Sequence, residues 1–570
     1  MTKPRNRFLR FPGLIASLLL LAVLTVPPPA AASAPQVTAI AGGTSSGYAL
    51  KSDGTVWAWG DNYDGELGNP GLAAVLYKDV PVQVYGLTGV TAIAATGYAG
   101  YALMPDGTVR AWGSNYSGEL GNGGGSTDST VPVEVSGLRN VTAIAGGGQT
   151  GYALERDGTV RAWGDNYYGE LGDGGTADSS VPVKVSGLQN VTAIAGGGYA
   201  GYALESDGTV WAWGYNYYGE LGNGGTAGSR VPVEVSGLRN VTAIAANRYS
   251  AYALERDGTV WAWGYNYYGE LGDGGTADSS VPVQVHGLQN VTAVAGGGYS
   301  GYVLKQDGTV WAWGKNRDGQ LGDASNYDSR VPVQVDGLKG VKAIAAGGHS
   351  GYALDGNGTV WAWGHNYDGQ LGDQSLADMS VPVQVDGLAA GAVLTDIAGN
   401  WARSDIEKLV ALGAVTGYPG GTFHPDADIT RAEFVTVLVK AFQLPPKPGP
   451  VFTDTAHNWA KHFISTAAAY GIVKGYNGGL FRPDAPVTRE QMAVMIVRAA
   501  KLTPVAGDLA FTDSESIDSW AARDIVTAVA DGIIKGFPDG TFKPDAYATR
   551  AEAAAAVVRA LDRPAGPVGP

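Results

Sequence analysis

The sequence predicts a multidomain chain, an all-β propeller of seven blades followed by a mainly α-helical array of three similar modules. Three observations predict it. Trp59, Trp112, Trp163, Trp213, Trp263, Trp313 and Trp363 each precede a glycine, at spacings of 53, 51, 50, 50, 50 and 50 residues. Each unit carries short β-rich runs, two of them joined by an Asp-Gly or Asn-Gly turn. Beyond Leu388 the alternation stops, and apolar residues such as Ile406, Leu409 and Val410 recur at helical spacing.

Composition suits this chain. Its 87 glycines in 570 residues call for many tight turns and hence many short strands. A net charge of −15, with no stripe of Lys and Arg, speaks against nucleic acid, which is gripped by clustered cations. The absence of cysteine excludes disulfides, thiolate metal sites and cysteine nucleophiles. At the N-terminus, Lys3, Arg5, Arg7 and Arg10 precede an apolar run from Leu14 to Val26, then prolines and Ala30-Ala31-Ala32. That order is a secretory signal peptide, residues 1–32, whose apolar core is too short to span a bilayer comfortably. A secreted protein with no membrane contact after cleavage is expected.

The repeats fill residues 35–390. In one copy Val241-Thr-Ala-Ile-Ala, Ala251-Tyr-Ala-Leu, Thr259-Val-Trp-Ala-Trp-Gly264 and Val281-Pro-Val-Gln-Val285 read as four strands, with a hairpin at Asp257-Gly258. Seven such units close into a propeller that leaves few edges exposed. Period-two alternation puts Trp261 and Trp263 on one strand face, as packing between blades. Arg110 and Arg161 replace the first tryptophan in two copies, so that position belongs near the rim, where a guanidinium reaches water.

Tyr-Ala-Leu, Asp-Gly-Thr-Val-x-Ala-Trp-Gly, Asn-x-x-Gly-(Glu/Gln)-Leu-Gly and Val-Pro-Val together resemble the regulator of chromosome condensation repeat family. The resemblance implies a seven-bladed propeller. The name-giving members exchange nucleotide on a small GTPase and bind chromatin, which does not suit a secreted acidic chain. An exported bacterial relative that inhibits β-lactamase implies a protein-binding surface instead, and fold alone does not choose.

Loops after the first and third strands of each blade leave on one side. They gather Tyr98, Tyr199, Tyr215, Tyr249, Tyr265, Tyr299, His349 and His365, with Gln149, Asp61, Ser114, Asp165 and Lys315 among them. A Tyr-rich, Gly-flanked face is the composition of an adaptable recognition surface. The expected partner is an extracellular protein; a glycan stacked on the phenols, or a structural surface lattice, is the alternative. Tyr167, Tyr217 and Tyr267, inside the Asn-Tyr-Tyr-Gly element, are expected to pack. No enzyme, cofactor or metal is expected. The histidines share no ligand spacing between copies, and no nucleophile elbow or P-loop occurs. His349 and His365 read as surface polar residues, since zinc takes three or four ligands.

The C-terminal modules cover 394–444, 451–502 and 510–562. Each runs Thr-Asp, Trp-Ala, a helix, a Gly-rich turn, Phe-x-Pro-Asp-Ala, Thr-Arg and a second helix. Phe452-Thr-Asp-Thr-Ala-His-Asn-Trp-Ala460 and Gly536-Phe-Pro-Asp-Gly-Thr-Phe-Lys-Pro-Asp545 resemble the S-layer homology domain, in its usual set of three. The resemblance implies a pseudo-threefold unit that binds pyruvylated secondary cell-wall polymer, in the wall or S-layer of a Gram-positive type bacterium. It also implicates the arginine of the Thr-Arg-Ala-Glu motif.

Thr430-Arg-Ala-Glu433, Thr488-Arg-Glu-Gln491 and Thr549-Arg-Ala-Glu552 fit capping boxes, which accounts for the threonines and Glu/Gln. It does not account for a cation in the first turn, which opposes the helix dipole. Arg431, Arg489 and Arg550 are therefore expected to hold a carboxylate of the polymer, together with free backbone N–H groups at the helix start. Lys474, Lys535 and Asp539 are further expected polymer contacts. The first module departs with Thr416 and Gly420 at their positions.

Overall fold

The computed structural model describes residues 35–563 apart from 389–393, 395, 416, 419–421, 443, 446 and 457. The expected signal peptide and the departures at Thr416 and Gly420 lie outside the described residues.

Each repeat folds into one four-stranded antiparallel blade. In the first, β1 (Val37–Gly42), β2 (Ser46–Lys51), β3 (Val56–Asp61) and β4 (Tyr77–Gln83) lie in the order 1-2-3-4, and six further sheets repeat this order. Among the described residues no strand is exchanged between blades. The ring closes because β1 packs against the innermost strand of the last blade, Val341–Ala346. Inner strands are Ala- and Gly-rich because they crowd the axis: a Cβ added to Gly146 would sit 1.9 Å from the Ala95 carbonyl oxygen.

Backbone hydrogen bonds circle one end of the axis. Thr44 N–H donates to Gly97 O (2.9 Å), Gly97 to Gly148 (2.9 Å), Gly148 to Gly197 (3.0 Å) and Gly198 to Asn247 (3.2 Å). Arg248 then donates to Gly298 (3.3 Å), Gly298 to Gly348 (2.9 Å) and Gly348 to Gly43 (3.1 Å).

The recurring tryptophan locks neighbouring blades. Trp263 is fully buried, and its Nε1–H donates to Glu220 O of the preceding blade at 2.9 Å. Tyr202, in that blade, donates its hydroxyl to the same carbonyl at 2.9 Å. One oxygen with two lone pairs thus ties its own sheet to the next. Trp59 repeats the bond to Gln370 O at 2.8 Å and so joins first blade to last. Arg110 and Arg161 lie at the rim as expected, about one third exposed and paired with Glu134 (3.2 Å) and Glu155 (3.3 Å).

The same loops bury a carboxyl. Glu270 Oε2 accepts the Tyr268 N–H at 2.8 Å, and burial pushes this acid up to about 8. Glu66, Glu119, Glu170 and Glu220 are raised to about 7–8 in the same way. In the last two blades Gln320 and Gln370 take this place, accepting from Asp318 N–H (2.9 Å) and Asp368 N–H (3.0 Å).

Among the described residues six helices form the C-terminal array: α1 (Arg403–Ala411), α2 (Arg431–Ala441), α3 (Lys461–Ala469), α4 (Arg489–Ala499), α5 (Ser519–Ala530) and α6 (Arg550–Leu561). Their packing crosses module boundaries: α2 on α3, α4 on α5, and α6 back on α1. At the centre Ile429 N–H donates to Ala548 O (3.0 Å), Ala548 to Val487 (2.9 Å) and Val487 to Ile429 (3.0 Å). This cyclic triangle is a pseudo-threefold centre. A buried ion pair, Lys440 Nζ to Asp386 Oδ1 at 2.7 Å, ties the array to the last blade. Among the described residues no helix is long and apolar enough to cross a membrane.

Candidate functional site

The propeller end that carries the backbone ring opens into a cavity of about 430 Å³ lined by Thr44, Tyr98, Gln149, Arg248, Tyr299 and His349 among others. Rings follow its edge from blade to blade. Centroid distances are 5.5 Å for Tyr199–Tyr249, 6.2 Å for Tyr249–Tyr299 and 6.1 Å for Tyr299–His349. An outer tier adds Tyr215, 4.7 Å from Tyr168, and Tyr265, 4.8 Å from Tyr218. His365 meets His349 at 6.2 Å. The loops thus bring the expected tyrosines and histidines to one face, and Tyr98 lines the same cavity. Burial above all pushes the Tyr215 and Tyr249 phenols up to about 12, so they stay neutral donors.

Tyr167, Tyr217 and Tyr267 do not pack into the core: each meets only neighbouring surface tyrosines, edge-on to Tyr168, Tyr218 and Tyr268 at 4.8, 4.9 and 4.9 Å. They are 72%, 68% and 65% exposed. The element is held instead by its asparagine: Asn266 Oδ1 accepts the Leu271 N–H (2.9 Å), and its Nδ2 donates to Ala277 O (3.1 Å). The first tyrosine of each pair is left in solvent, and the buried phenols are those of Tyr-Ala-Leu, such as Tyr252.

Arg248 escaped the sequence reading. Where the other six repeats place Thr44, Gly97, Gly148, Gly198, Gly298 and Gly348, it sets a guanidinium at the mouth. Its Nη2 donates to the Tyr199 hydroxyl at 3.1 Å, and the group lies 5.3 Å from the Tyr249 ring centroid. One charge in a column of small residues was the available signal.

In the helical array each motif arginine is buried in a seam between modules. Arg431 Nε donates to Phe481 O (3.0 Å), Arg489 Nε to Phe542 O (2.9 Å) and Arg550 Nε to Phe423 O (2.8 Å). Aromatic rings flank them: Tyr476 at 5.0 Å, Phe537 at 4.4 Å and Tyr418 at 4.7 Å. The helix-start N–H groups are not free. Arg431 N–H donates to Ala485 O and Ala432 N–H to Pro483 O, both at 2.9 Å, and the two other helices repeat this with Ala546/Pro544 and Ala427/Pro425. The Phe-x-Pro-Asp-Ala turn of the next module docks there, so an anion meets side chains only.

The seams differ in charge. Arg489 Nη1 pairs with Glu552 at 3.0 Å and Arg550 Nη1 with Glu433 at 2.8 Å. Arg431 Nη1 meets the neutral Gln491 Oε1 at 3.2 Å. Arg482 adds a second guanidinium 4.6 Å from the Tyr476 centroid. Burial first, and Arg482 beside it, press the Arg431 guanidinium below its ordinary pKa. Asp454 carries the nearby negative charge, and it already accepts the Phe481 and Arg482 N–H groups at 2.8 and 2.7 Å.

Lys474 and Lys535 are exposed. Lys535 lines a cavity of about 160 Å³ with Arg489, Trp401 and Phe537. Asp539 instead holds its own turn, accepting the Thr541 N–H at 3.0 Å.

The sequence matches the Regulator of chromosome condensation (RCC1) repeat at 53–103, 106–154, 157–204, 207–254, 257–304, 307–354 and 357–399. A second form of that repeat matches seven stretches from 37–66 to 341–370. The S-layer homology domain matches 394–435, 451–493 and 510–554. Exoglucanase XynX of Acetivibrio thermocellus is 33% identical over 175 residues, 30% of this chain and 16% of that protein. S-layer protein EA1 of Bacillus anthracis is 34% identical over 170 residues, 29% of this chain and 20% of that protein. The chain thus matches only a small part of these relatives' length. Human WBSCR16 superimposes with a TM-score of 0.53 at 24% identity, over 58% of this chain and 94% of that one, a likeness of fold. The chain belongs to the Regulator of chromosome condensation (RCC1) repeat family and carries three S-layer homology domains, the build of a cell-surface protein anchored through those domains.

Proposed function

We propose that this is a non-catalytic surface protein held without covalent bonds to pyruvylated secondary cell-wall polymer, and that its propeller presents the phenol-lined mouth to an extracellular protein. The observation that carries the anchoring half is the set of arginines in the seams, flanked by rings that receive a sugar face. The Arg431 seam is the strongest of the three. Among the described residues no carboxylate pairs with its guanidinium as Glu552 and Glu433 pair with Arg489 and Arg550, and Asp454 nearby is taken up by backbone N–H groups, so a ketal carboxylate finds a less compensated cation there.

The full chain is expected to sediment with wall fragments, and to stay in the supernatant when the pyruvyl groups have been removed chemically. Equal sedimentation in both cases contradicts the reading. For the propeller, Arg248 among phenols supports a partner with an acidic patch. Capture of a secreted protein that Arg248→Ala and Tyr249→Ala both abolish supports this. Glycan recognition draws support from the exposed rings of Tyr167, Tyr217 and Tyr267, and a glycan array with the same variants separates the two.

A further inference from the structure

At two successive blade junctions around the mouth, three repeat-equivalent positions meet ring to ring. Tyr168, Tyr199 and Tyr215 lie at centroid distances of 5.7, 4.7 and 6.1 Å, and Tyr218, Tyr249 and Tyr265 at 5.7, 4.8 and 6.0 Å. At the junction of the last two blades the same positions hold Asp318, His349 and His365. The backbone is unchanged: Tyr265 N–H donates to Tyr249 O at 3.0 Å, and His365 N–H to His349 O at 3.0 Å. A phenol triplet has become two imidazoles and a carboxylate.

Their donor atoms converge. His349 Nδ1 is 3.7 Å from Asp318 Oδ2, and His365 Nδ1 is 3.1 Å from Asp378 Oδ1. One donor atom each from Asp318, His365 and Asp378 lie within 4.8 Å of one another. Ligands of one tetrahedrally bound ion, at about 2.0–2.2 Å from it, stand about 3.3–3.6 Å apart. Side-chain rotations on ion entry have to draw the widest of these gaps in by about an ångström.

We infer that Asp318, His365 and Asp378, with His349 as a fourth ligand, form a binding site for a divalent ion of the zinc class. Imidazole nitrogen mixed with carboxylate oxygen suits Zn²⁺ and its first-row neighbours, whereas Ca²⁺ and Mg²⁺ take all-oxygen sets. Asp378 Oδ1 also accepts the Asn366 N–H at 2.8 Å, which orients its carboxylate. Lys315 Nζ, 3.7 Å from Asp318 Oδ2, stands as the local counter-charge and is displaced when the ion enters. Only the His349–His365 pair shows in the sequence; Asp318 and Asp378 join it from separate loop positions, one of them in the preceding repeat.

The test is calorimetric titration of the full chain with zinc chloride, with magnesium and calcium chlorides alongside. One Zn²⁺ per chain is expected. His365→Ala and Asp318→Asn each weaken it at least about tenfold, the lower end of what loss of an outer-shell partner costs. His286→Ala and His424→Ala leave it unchanged. Lys315→Met tightens it, a gain that a merely unfolded variant cannot produce. Zinc affinity unchanged in the His349→Ala/His365→Ala double variant, or no zinc binding by the folded parent, overturns the inference.

Discussion

The buried carboxyl of Glu270 makes the propeller's stability depend on pH in a direction opposite to that of ordinary surface acids. Its pKa rises from 4.5 to about 8, chiefly through burial. The folded state therefore keeps a proton that the unfolded chain has already released. The stability this gives is present below the unfolded pKa and lost as pH climbs from about 4.5 to about 8. A tenfold difference in proton affinity between the two states is about 1.4 kcal/mol, so the loss amounts to a few kcal/mol at pH 9.

Glu270→Gln removes the titration and keeps the shape. Gln320 and Gln370 already fill the equivalent place in the last two blades. The amide brings one unmet donor, as Gln370 Nε2 shows, which costs about 1–3 kcal/mol. The variant is thus level with the parent or below it at pH 5 and above it at pH 9. Denaturant unfolding followed by the emission of the buried blade tryptophans measures this, since Trp313 donates to the Glu270 carbonyl itself at 2.7 Å. The same difference between variant and parent at pH 5 and pH 9 would refute the argument, as would a parent whose stability does not fall between them.

Three further outcomes follow from the packing. Trp263→Phe leaves a carbonyl of the blade seam without its second donor and costs about 1–3 kcal/mol more than Trp261→Phe, because the Trp261 indole N–H is buried with no partner to lose; denaturant midpoints of the two variants measure the gap. Lys440→Met leaves the buried Asp386 with only the Gln374 amide (3.1 Å) and destabilises the joint between propeller and helices by up to about 3–5 kcal/mol, whereas Lys440→Met with Asp386→Leu recovers most of it; protease sensitivity between residues 388 and 402 reads this out. Gly198→Ala drives a Cβ to 2.6 Å from Arg248 O and lowers the melting temperature, while Gly187→Ala meets no atom within 4 Å and costs only its φ of +74°.

Much of the fold was legible because each blade is complete within one repeat. Trp-Gly spacing, Asp-Gly hairpins and the Trp-to-Arg changes at the rim are local signals, and blade order, closure and rim position follow from them. The gathering of these tyrosines and histidines on one face was legible for the same reason: they occupy two fixed loop positions per repeat. The Asn-Tyr-Tyr tyrosines were misread because similarity between copies suggested packing, yet the asparagine holds the loop and the phenol points to water. In the helical array the decisive contacts join residues some fifty to sixty positions apart, or link the third module to the first. The capping boxes of α2 and α6 could be read; at α4 only the Thr488 half forms, because the Gln491 side chain turns to Arg431, and the docking of the next module's turn on the helix-start N–H groups could not be read at all. Gln491 stood out as a departure from Glu, and its consequence appears only once Arg431 is seen against it.

The most direct measurement compares Gln491→Glu with the parent for affinity to pyruvylated wall polymer. A carboxylate at 491 gives Arg431 the partner that its two counterparts already have, without removing any group that the polymer contacts. Neutralising one charge-assisted contact is worth about 1.5–3 kcal/mol, so binding is predicted to weaken about 10- to 100-fold while the melting temperature holds or rises. Undiminished binding by a correctly folded Gln491→Glu chain would show that the seam between the first two modules is not where the wall is held.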